Sequence, residues 1–338
     1  MLGDALTAKV LAASANILDR NSLIKLIESE SVNDFLSILK STPSYAFLAP
    51  NIGGGVSEIE SHLAHYPYAE LERFFDYVGF PARSFVELLL EGEVVEVLKN
   101  ILRLKHGSAD ASADFSFLRQ TNFDVKKLME ETKSVQEVVQ FAQGTPYHQP
   151  LVNSMQNFES TNEIFHLETN LDYDYSFRLR EKMGCLSGAD RDVASRFLGV
   201  EDDLYNVVWL YRGKFLCKLT DDEVSTFVIP YGYFLNKNSL QECSAADNVK
   251  DFERRIAQFG LDDLFGADGL LLSMSLKCRR KRRTEAAFLK KSPLGFLLWY
   301  WVCLRYETDL LINILEFIDA SIAPDKRSEL VKELLEWQ

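Results

Sequence analysis

Polar and apolar positions alternate with a helical period over most of this chain, and one segment of the pattern is repeated. The segment at 31–43 reads SVNDFLSILKSTP, it returns at 134–146 as SVQEVVQFAQGTP, and a weaker copy begins at 248 as NVKDFERRIAQFG. In each copy a Ser or Asn precedes an acid by three residues, which is typical of a capping box. Apolar residues then recur three and four positions apart. The pattern predicts three equivalent amphipathic helices.

The spacing of the copies predicts the domain organisation. They start about 100 residues apart, which is roughly the size of a small domain and longer than the ~20 to 50 residues of a solenoid repeat. We therefore expect an all-α protein made of three related helical bundles, at residues 1–110, 111–220 and 221–338.

The same periodicity predicts the remaining elements. The segment 201–218 contains β-branched and aromatic residues that also suit a strand, but its surroundings favour a helix. The segments 43–55, which contains three successive glycines, 107–114 and 153–162 are predicted loops, and 229–235 is a predicted turn. Further helices are predicted at 7–27 with a break near Asn21 and Ser22, and at 58–78, 84–104, 168–180, 294–318 and 325–338.

Composition favours a soluble protein with sizeable cores. Hydrophobic residues make up 47% of the chain, and the net charge of −13 makes nonspecific nucleic-acid binding an unfavourable default. The five cysteines form no CxxC pair, which predicts reduced thiols in a cytosolic protein. The first residues include Asp4 and no basic leader, so no signal peptide is expected. The longest apolar run, about a dozen residues, is too short to cross a bilayer.

Candidate catalytic chemistry is sparse. His62 and His65 share a helical face with Glu58, which permits a weak metal site, although catalytic zinc normally takes three strong protein ligands. Nucleophile-elbow and zinc-protease motifs are absent. The acid pairs at 202–203 and 221–222 are interpreted as charges that stabilise helix starts. The residues by themselves predict no active site.

One short basic segment, at 277–283, opposes the acidic balance of the chain. A solvated surface and a docking patch for an acidic protein remain equally open interpretations, and nucleic acid is a distant third. The candidate partner-binding residues are Lys277, Arg279, Arg280, Lys281, Arg282 and Arg283.

Several motifs together resemble a known family. Thr-Pro turns follow the first two repeat helices, at Thr42 and Thr145, and an Ile-Pro-Tyr-Gly segment begins at Ile229. In the order of these motifs the chain resembles the C subunit of archaeal and bacterial A/V-type rotary ATPases, which corresponds to the d subunit of eukaryotic vacuolar enzymes. The matching positions in the helices that close each bundle are Asn100, Arg103, Asn206, Arg212, Glu307 and Asn313.

The resemblance implies three bundles in a pseudo-threefold arrangement, forming a funnel with a central cavity. It implies a non-catalytic central-stalk subunit, peripheral on the cytoplasmic face of the membrane, that couples the rotor shaft to the proteolipid ring for H⁺ or Na⁺ transport. The implied partners are central-stalk subunits and the proteolipid rotor ring, with membrane contact only through the ring, no nucleic acid and no cofactor. The alternative is a helical adaptor or scaffold, and a metal hydrolase using His62 and His65 ranks third.

Overall fold

The computed structural model describes residues 2–48, 55–107, 124–226, 228–259, 261 and 292–335 of the 338-residue chain. Within these ranges every regular secondary-structure element is a helix, and the β pairing is limited to one isolated bridge between Tyr231 and Asn236. The all-α prediction is confirmed for the described part of the chain.

The described helices follow one another without strands between them. In chain order they are α1 (Leu2–Ser14), α2 (Arg20–Ile27), α3 (Val32–Lys40), α4 (Val56–Arg73), α5 (Ala82–His106), α6 (Val125–Glu131), α7 (Val135–Phe141), α8 (His148–Thr161), α9 (Phe165–Gly184), α10 (Gly188–Tyr211), α11 (Asp221–Thr226), α12 (Lys237–Ser244), α13 (Val249–Gln258), α14 (Pro293–Asp319) and α15 (Pro324–Leu335). Short 3-10 helices cover Pro43–Leu48 and Phe75–Tyr77, and a π-helical turn, Arg212–Leu216, extends α10. The helical interpretation of 201–218 is therefore confirmed.

The three repeat helices begin with the predicted caps. Ser31 accepts a hydrogen bond from the backbone N–H of Asp34 at 3.1 Å, and the Asp34 carboxylate accepts the backbone N–H of Glu30 at 3.1 Å. The acid thus reaches one residue further back than in the usual capping box, to the residue before the cap. The same pair of bonds recurs at Ser134, Glu137 and Lys133, and at Asn248, Asp251 and Asp247.

Tertiary contacts divide the chain into two compact units, the first containing α1 to α4, α14 and α15. Its centre is α14, which packs most extensively on α4 and α1. Apolar residues recur along α14 at helical spacing, and Leu297, Leu304, Leu311 and Ile314 are all buried. The long apolar run near 293–304 is therefore part of the core of this unit.

The second unit contains α5 to α13, with α9 packed against α5, α8 and α10. Its aromatic core includes Phe165 stacked on Trp209 with ring centroids 4.4 Å apart, and the fully buried Phe252 of the third repeat helix. These two units are defined by contacts, whereas the three predicted bundles are defined by the repeated sequence segments. The division into three bundles therefore stays a prediction.

Two local predictions are wrong. The break in the first helical segment lies between Ser14 and Arg20, because the Asp19 side chain accepts the backbone N–H of Ser22 and starts a new helix. Asn21 and Ser22 therefore lie in the first turn of α2.

The predicted loop at 153–162 forms the C-terminal part of α8. Leu151, Ser154 and Phe158 are buried at helical spacing. The Ser154 hydroxyl donates to the backbone carbonyl of Pro150 at 2.9 Å. Because a polar serine occupies this buried position, the helical spacing of apolar residues is interrupted in the sequence. Of the other predicted loops, the one at 43–55 begins with the 3-10 helix Pro43–Leu48 and ends at Gly55, which precedes α4. Gly107 ends α5 in a left-handed conformation, and residues 49–54 and 108–114 lie outside the described residues.

Candidate functional site

The family-motif positions Asn100, Arg103 and Arg212 gather around one buried carboxylate of the second unit, that of Glu168 on α9. Arg103 donates from Nε to Glu168 and from Nη1 to the Asn100 side chain at 2.9 Å. Arg212 approaches the other Glu168 oxygen at 3.9 Å. The Glu168 side chain is 4% exposed, whereas the side chains of Arg103 and Arg212 are 34% and 44% exposed, so water partly screens the two arginines. The cluster ties α5 to α9 and to the turn after α10.

A second ion pair, in which Lys99 is buried and Asp172 is partly exposed, joins α5 to α9 one turn away. Lys99 donates to Asp172 at 2.8 Å and to Glu96 at 2.9 Å. Burial raises the pKa of the Asp172 carboxyl, and the Lys99 ammonium opposes that rise. Sequence analysis did not select this pair, because the two residues are separated by 73 positions and nothing local connects them.

Asn206, a fourth motif position, is fully buried in α10 and holds the predicted turn at 229–235. Its side chain donates to the carbonyl of Ile229 and accepts the N–H of the same residue, both at 2.8 Å. One amide side chain thereby replaces a peptide as the turn's hydrogen-bonding partner.

The interpretation of Asp202 and Asp203 as helix-start charges is wrong, because both lie buried in the middle of α10. Asp202 accepts from Arg180 Nε at 2.9 Å and from the Ser176 hydroxyl at 2.7 Å. Burial raises the pKa of Asp202 to about 6, with Arg180 opposing the rise. By contrast, Asp221 and Asp222 do lie in the first turn of α11, as predicted.

Asp203 binds the backbone of the turn that Asn206 holds. Its two oxygens accept the N–H groups of Phe234 at 2.8 Å and Leu235 at 2.9 Å. Burial outweighs these bonds and raises the pKa of Asp203 to about 7. Gly232 permits the close approach, since a Cβ there would collide with the Asp203 carboxylate.

In the first unit, Glu307 of α14 joins two distant segments. It accepts the backbone N–H of Leu18 and the hydroxyl of Tyr45, both at 2.6 Å. Burial, followed by the Glu307 charge, raises the pKa of Tyr45 well above its ordinary value. Asn313, on the same helix, donates to the carbonyl of Asp309 at 2.7 Å and so acts locally.

The remaining candidates from the sequence are the histidines of α4 and the basic segment. Glu58, His62 and His65 all lie on α4, and within the described ranges no three His, Cys, Asp or Glu side chains group closely enough to hold a metal ion. The basic segment at 277–283 lies outside the described residues. No helix in the described portion combines the length and apolar content needed to cross a membrane.

Comparisons with known proteins agree with the resemblance drawn from the motifs. The chain is similar to the C subunit of the A-type ATP synthase of Thermococcus onnurineus, at 26% identity over 96% of this chain and 88% of that protein. It is also similar to the corresponding proteins of Pyrococcus abyssi, at 24% over 97% of this chain and 89% of that protein, and of Methanocaldococcus jannaschii, at 25% over 72% and 62%. The last alignment thus spans less than two thirds of that relative. The model of the family described as ATP synthase (C/AC39) subunit matches residues 6–330, and the chain belongs to that family.

Proposed function

We propose that this chain is a non-catalytic central-stalk subunit of a rotary A/V-type ATPase. It connects the rotor shaft to the membrane proteolipid ring, so that nucleotide-driven rotation is coupled to H⁺ or Na⁺ transport. The observation that carries the proposal is the family match over residues 6–330, and relatives named as the C subunit of A-type ATP synthases support it.

The buried polar contacts within each unit suit a part that transmits torque. In the second unit, Lys99–Asp172 and Arg103–Glu168 join α5 to α9, and in the first unit Glu307 holds the segments around Leu18 and Tyr45. Sliding α5 past α9 would separate the buried Glu168 carboxylate from Arg103, and a buried charge that loses its partner destabilises the protein. Such pairs therefore resist slippage under load more than an apolar contact of equal area.

The proposal extends to the arrangement and partners that the resemblance implies. Three bundles, at 1–110, 111–220 and 221–338, surround a funnel-shaped cavity that receives the foot of the shaft. The protein lies on the cytoplasmic face of the membrane, contacts the bilayer only through the ring, and turns its basic segment at 277–283 toward an acidic partner surface.

An affinity purification tests the assignment. The tagged chain is isolated from detergent-solubilised native membranes and its partners are identified by mass spectrometry. We expect catalytic subunits, stalk subunits and a small proteolipid to copurify, and the ring to separate from the soluble sector when this chain is deleted. Recovery of the chain alone, or with unrelated proteins only, would leave the adaptor alternative in its place.

A second experiment tests coupling itself. Complexes assembled with and without the chain are reconstituted into lipid vesicles, and ATP hydrolysis and ion uptake are measured together. A coupling role predicts that hydrolysis continues without the chain while ion uptake stops. Equal ion uptake in both preparations would contradict the proposal.

A further inference from the structure

Two tyrosines on the turn between Ile229 and Leu235 point outward although the turn itself is firmly held. Tyr231 is 50% exposed and Tyr233 is 48% exposed. An arginine lies over each ring, Arg180 of α9 at 4.8 Å from the Tyr231 centroid and Arg196 of α10 at 4.9 Å from the Tyr233 centroid. Tyrosine and arginine are among the residues enriched where proteins bind one another.

The backbone of this turn is hydrogen-bonded to four residues outside it. Besides the bonds from Asn206 and Asp203, the N–H of Tyr233 donates to the carbonyl of Gly199 at 3.1 Å, and Arg180 donates to the carbonyl of Tyr231 at 2.9 Å. A surface aromatic side chain on a rigid backbone loses little conformational entropy when a partner binds it.

The charges beside the tyrosines differ in one respect. Arg180 is neutralised by the buried carboxylate of Asp202. Arg196 donates to the Tyr233 hydroxyl at 2.8 Å and makes no ion pair with any carboxylate in the described ranges. Its remaining N–H groups are therefore available to a carboxylate brought by a partner, although the net charge of the protein is −13.

The aromatic surface continues along α9. Phe177 is exposed and precedes Arg180 by three residues, which places the two side chains on the same face of the helix. The surface therefore combines apolar rings with the Arg196 guanidinium at its α10 side.

We infer that Tyr231, Tyr233 and Arg196 form a docking surface for a protein segment that carries a carboxylate beside apolar side chains. The apolar residues of the segment cover the tyrosine rings, and its carboxylate pairs with Arg196. The inference goes beyond the proposed function, because it assigns a surface and the chemistry of its partner whichever complex the chain enters.

Site-specific photo-crosslinking in the native host tests this surface. Tyr231 of the full-length chain is replaced by p-benzoylphenylalanine, the cells are irradiated, and the attached peptide is sequenced by mass spectrometry. We expect one dominant adduct, with a protein other than this chain, whose attached segment contains Asp or Glu. The same photoreactive residue at Val152, which is exposed on α8, measures background capture.

Charge variants make the test specific. Arg196→Glu is expected to lower the adduct yield roughly tenfold, because an attractive charged contact becomes repulsive, whereas Arg196→Lys retains most of the yield. Arg191→Glu makes the same charge change on an exposed position of α10 and should leave the yield unchanged, and thermal unfolding verifies that each variant is folded. An adduct no stronger than at Val152, an attached segment without acids, a second copy of this chain as the partner, or a yield insensitive to Arg196→Glu would each overturn the inference.

Discussion

At the scale of single residues, the protein relies on buried carboxylates that accept hydrogen bonds from distant backbone. Asp203 accepts two N–H groups of the turn at 229–235, and Glu307 accepts one from Leu18. A buried carboxylate is costly unless its lone pairs are satisfied. Each of these acids is therefore satisfied only when the segment that donates to it has its native conformation.

Glu307→Gln should destabilise the first unit by about 1 to 3 kcal/mol, because the amide retains one acceptor for two donors and leaves the other unsatisfied. The second donor is the Tyr45 hydroxyl, so adding Tyr45→Phe should recover part of the loss. Urea unfolding measures both variants. Glu28→Gln, at an exposed position, is the control, and equal losses for Glu307→Gln and Glu28→Gln would contradict the role of Glu307.

Asp203 predicts a specific pH dependence. Its pKa rises on folding from 3.8 to about 7, so between these values the folded state binds the proton more tightly than the unfolded state. The stability contributed by the protonated form is complete below pH 3.8 and is lost as the pH rises through 7. Asp203→Asn removes this titration.

Between pH 4 and pH 8 the wild type should therefore lose about 4 kcal/mol of unfolding free energy relative to Asp203→Asn. Chemical denaturation at a series of pH values measures the difference, and other titrating groups cancel because both proteins contain them. Asp192→Asn, at an exposed position of α10, supplies the comparison. Parallel curves for wild type and Asp203→Asn would show that burial does not shift this carboxyl.

At the scale of elements, the repeat helices α3, α7 and α13 are short, with 9, 7 and 10 residues. Isolated helices below about 12 residues are marginal in water. Their caps define where they start, and their apolar faces, such as Phe35 in α3 and Phe252 in α13, supply the stability by packing.

The three caps should be energetically equivalent. Ser31→Ala, Ser134→Ala and Asn248→Ala should each cost about 1 kcal/mol, because each leaves an N–H of the first turn without its acceptor. Urea unfolding midpoints measure the cost. Ser37→Ala, an exposed position inside α3, should be neutral or slightly stabilising, and a loss there equal to that at Ser31 would remove capping as the explanation.

The contact between α5 and α9 depends on a glycine. A Cβ at Gly92 would lie 2.6 Å from the hydroxyl of Tyr175, which donates to the carbonyl of Leu89. Gly92→Ala should therefore lower the melting temperature although alanine favours a helix by about 1 kcal/mol. Gly184→Ala, near the end of α9 with nothing within 4 Å, should raise it.

Adding Tyr175→Phe to Gly92→Ala separates the two effects. Removing the hydroxyl takes away the nearest clashing atom, so the double variant should melt at a higher temperature than Gly92→Ala alone. If Tyr175→Phe gives no recovery, the cost at Gly92 arises from something other than this contact.

At the scale of the whole molecule, the proposed coupling role requires an interface that does not slip. The basic segment at 277–283 is the predicted contact with an acidic partner surface. Charges on an interface steer association and make binding weaken with salt.

Reversing Lys277, Arg280 and Arg283 to Glu should therefore reduce retention of the partner subunits roughly tenfold at low salt, since exposed pairs contribute about 0.2 to 1 kcal/mol each. Partner recovery in affinity purifications at increasing salt measures the effect. The matched control reverses Lys126, Lys127 and Lys133, which are exposed around α6. Equal partner recovery for the two triple variants would contradict the docking role and would favour the interpretation of the basic segment as a solvated surface.

Local chemistry in the sequence determined the helices and their caps. The Ser31, Ser134 and Asn248 caps, and the long helix α14, follow from residues three and four positions apart, and such contacts form in any helix whatever lies around it. The order of the motifs also indicated the family whose model matches residues 6–330.

Tertiary structure alone decided which polar residues are buried together. Arg103 donates to Glu168, which is 65 positions away in the sequence. The backbone N–H of Leu235 donates to Asp203, which is 32 positions away. No local pattern distinguishes these acids from the solvent-exposed acids of the same helices. Their partners are chosen by which helices pack, and packing depends on the summed burial of many apolar side chains rather than on any short motif.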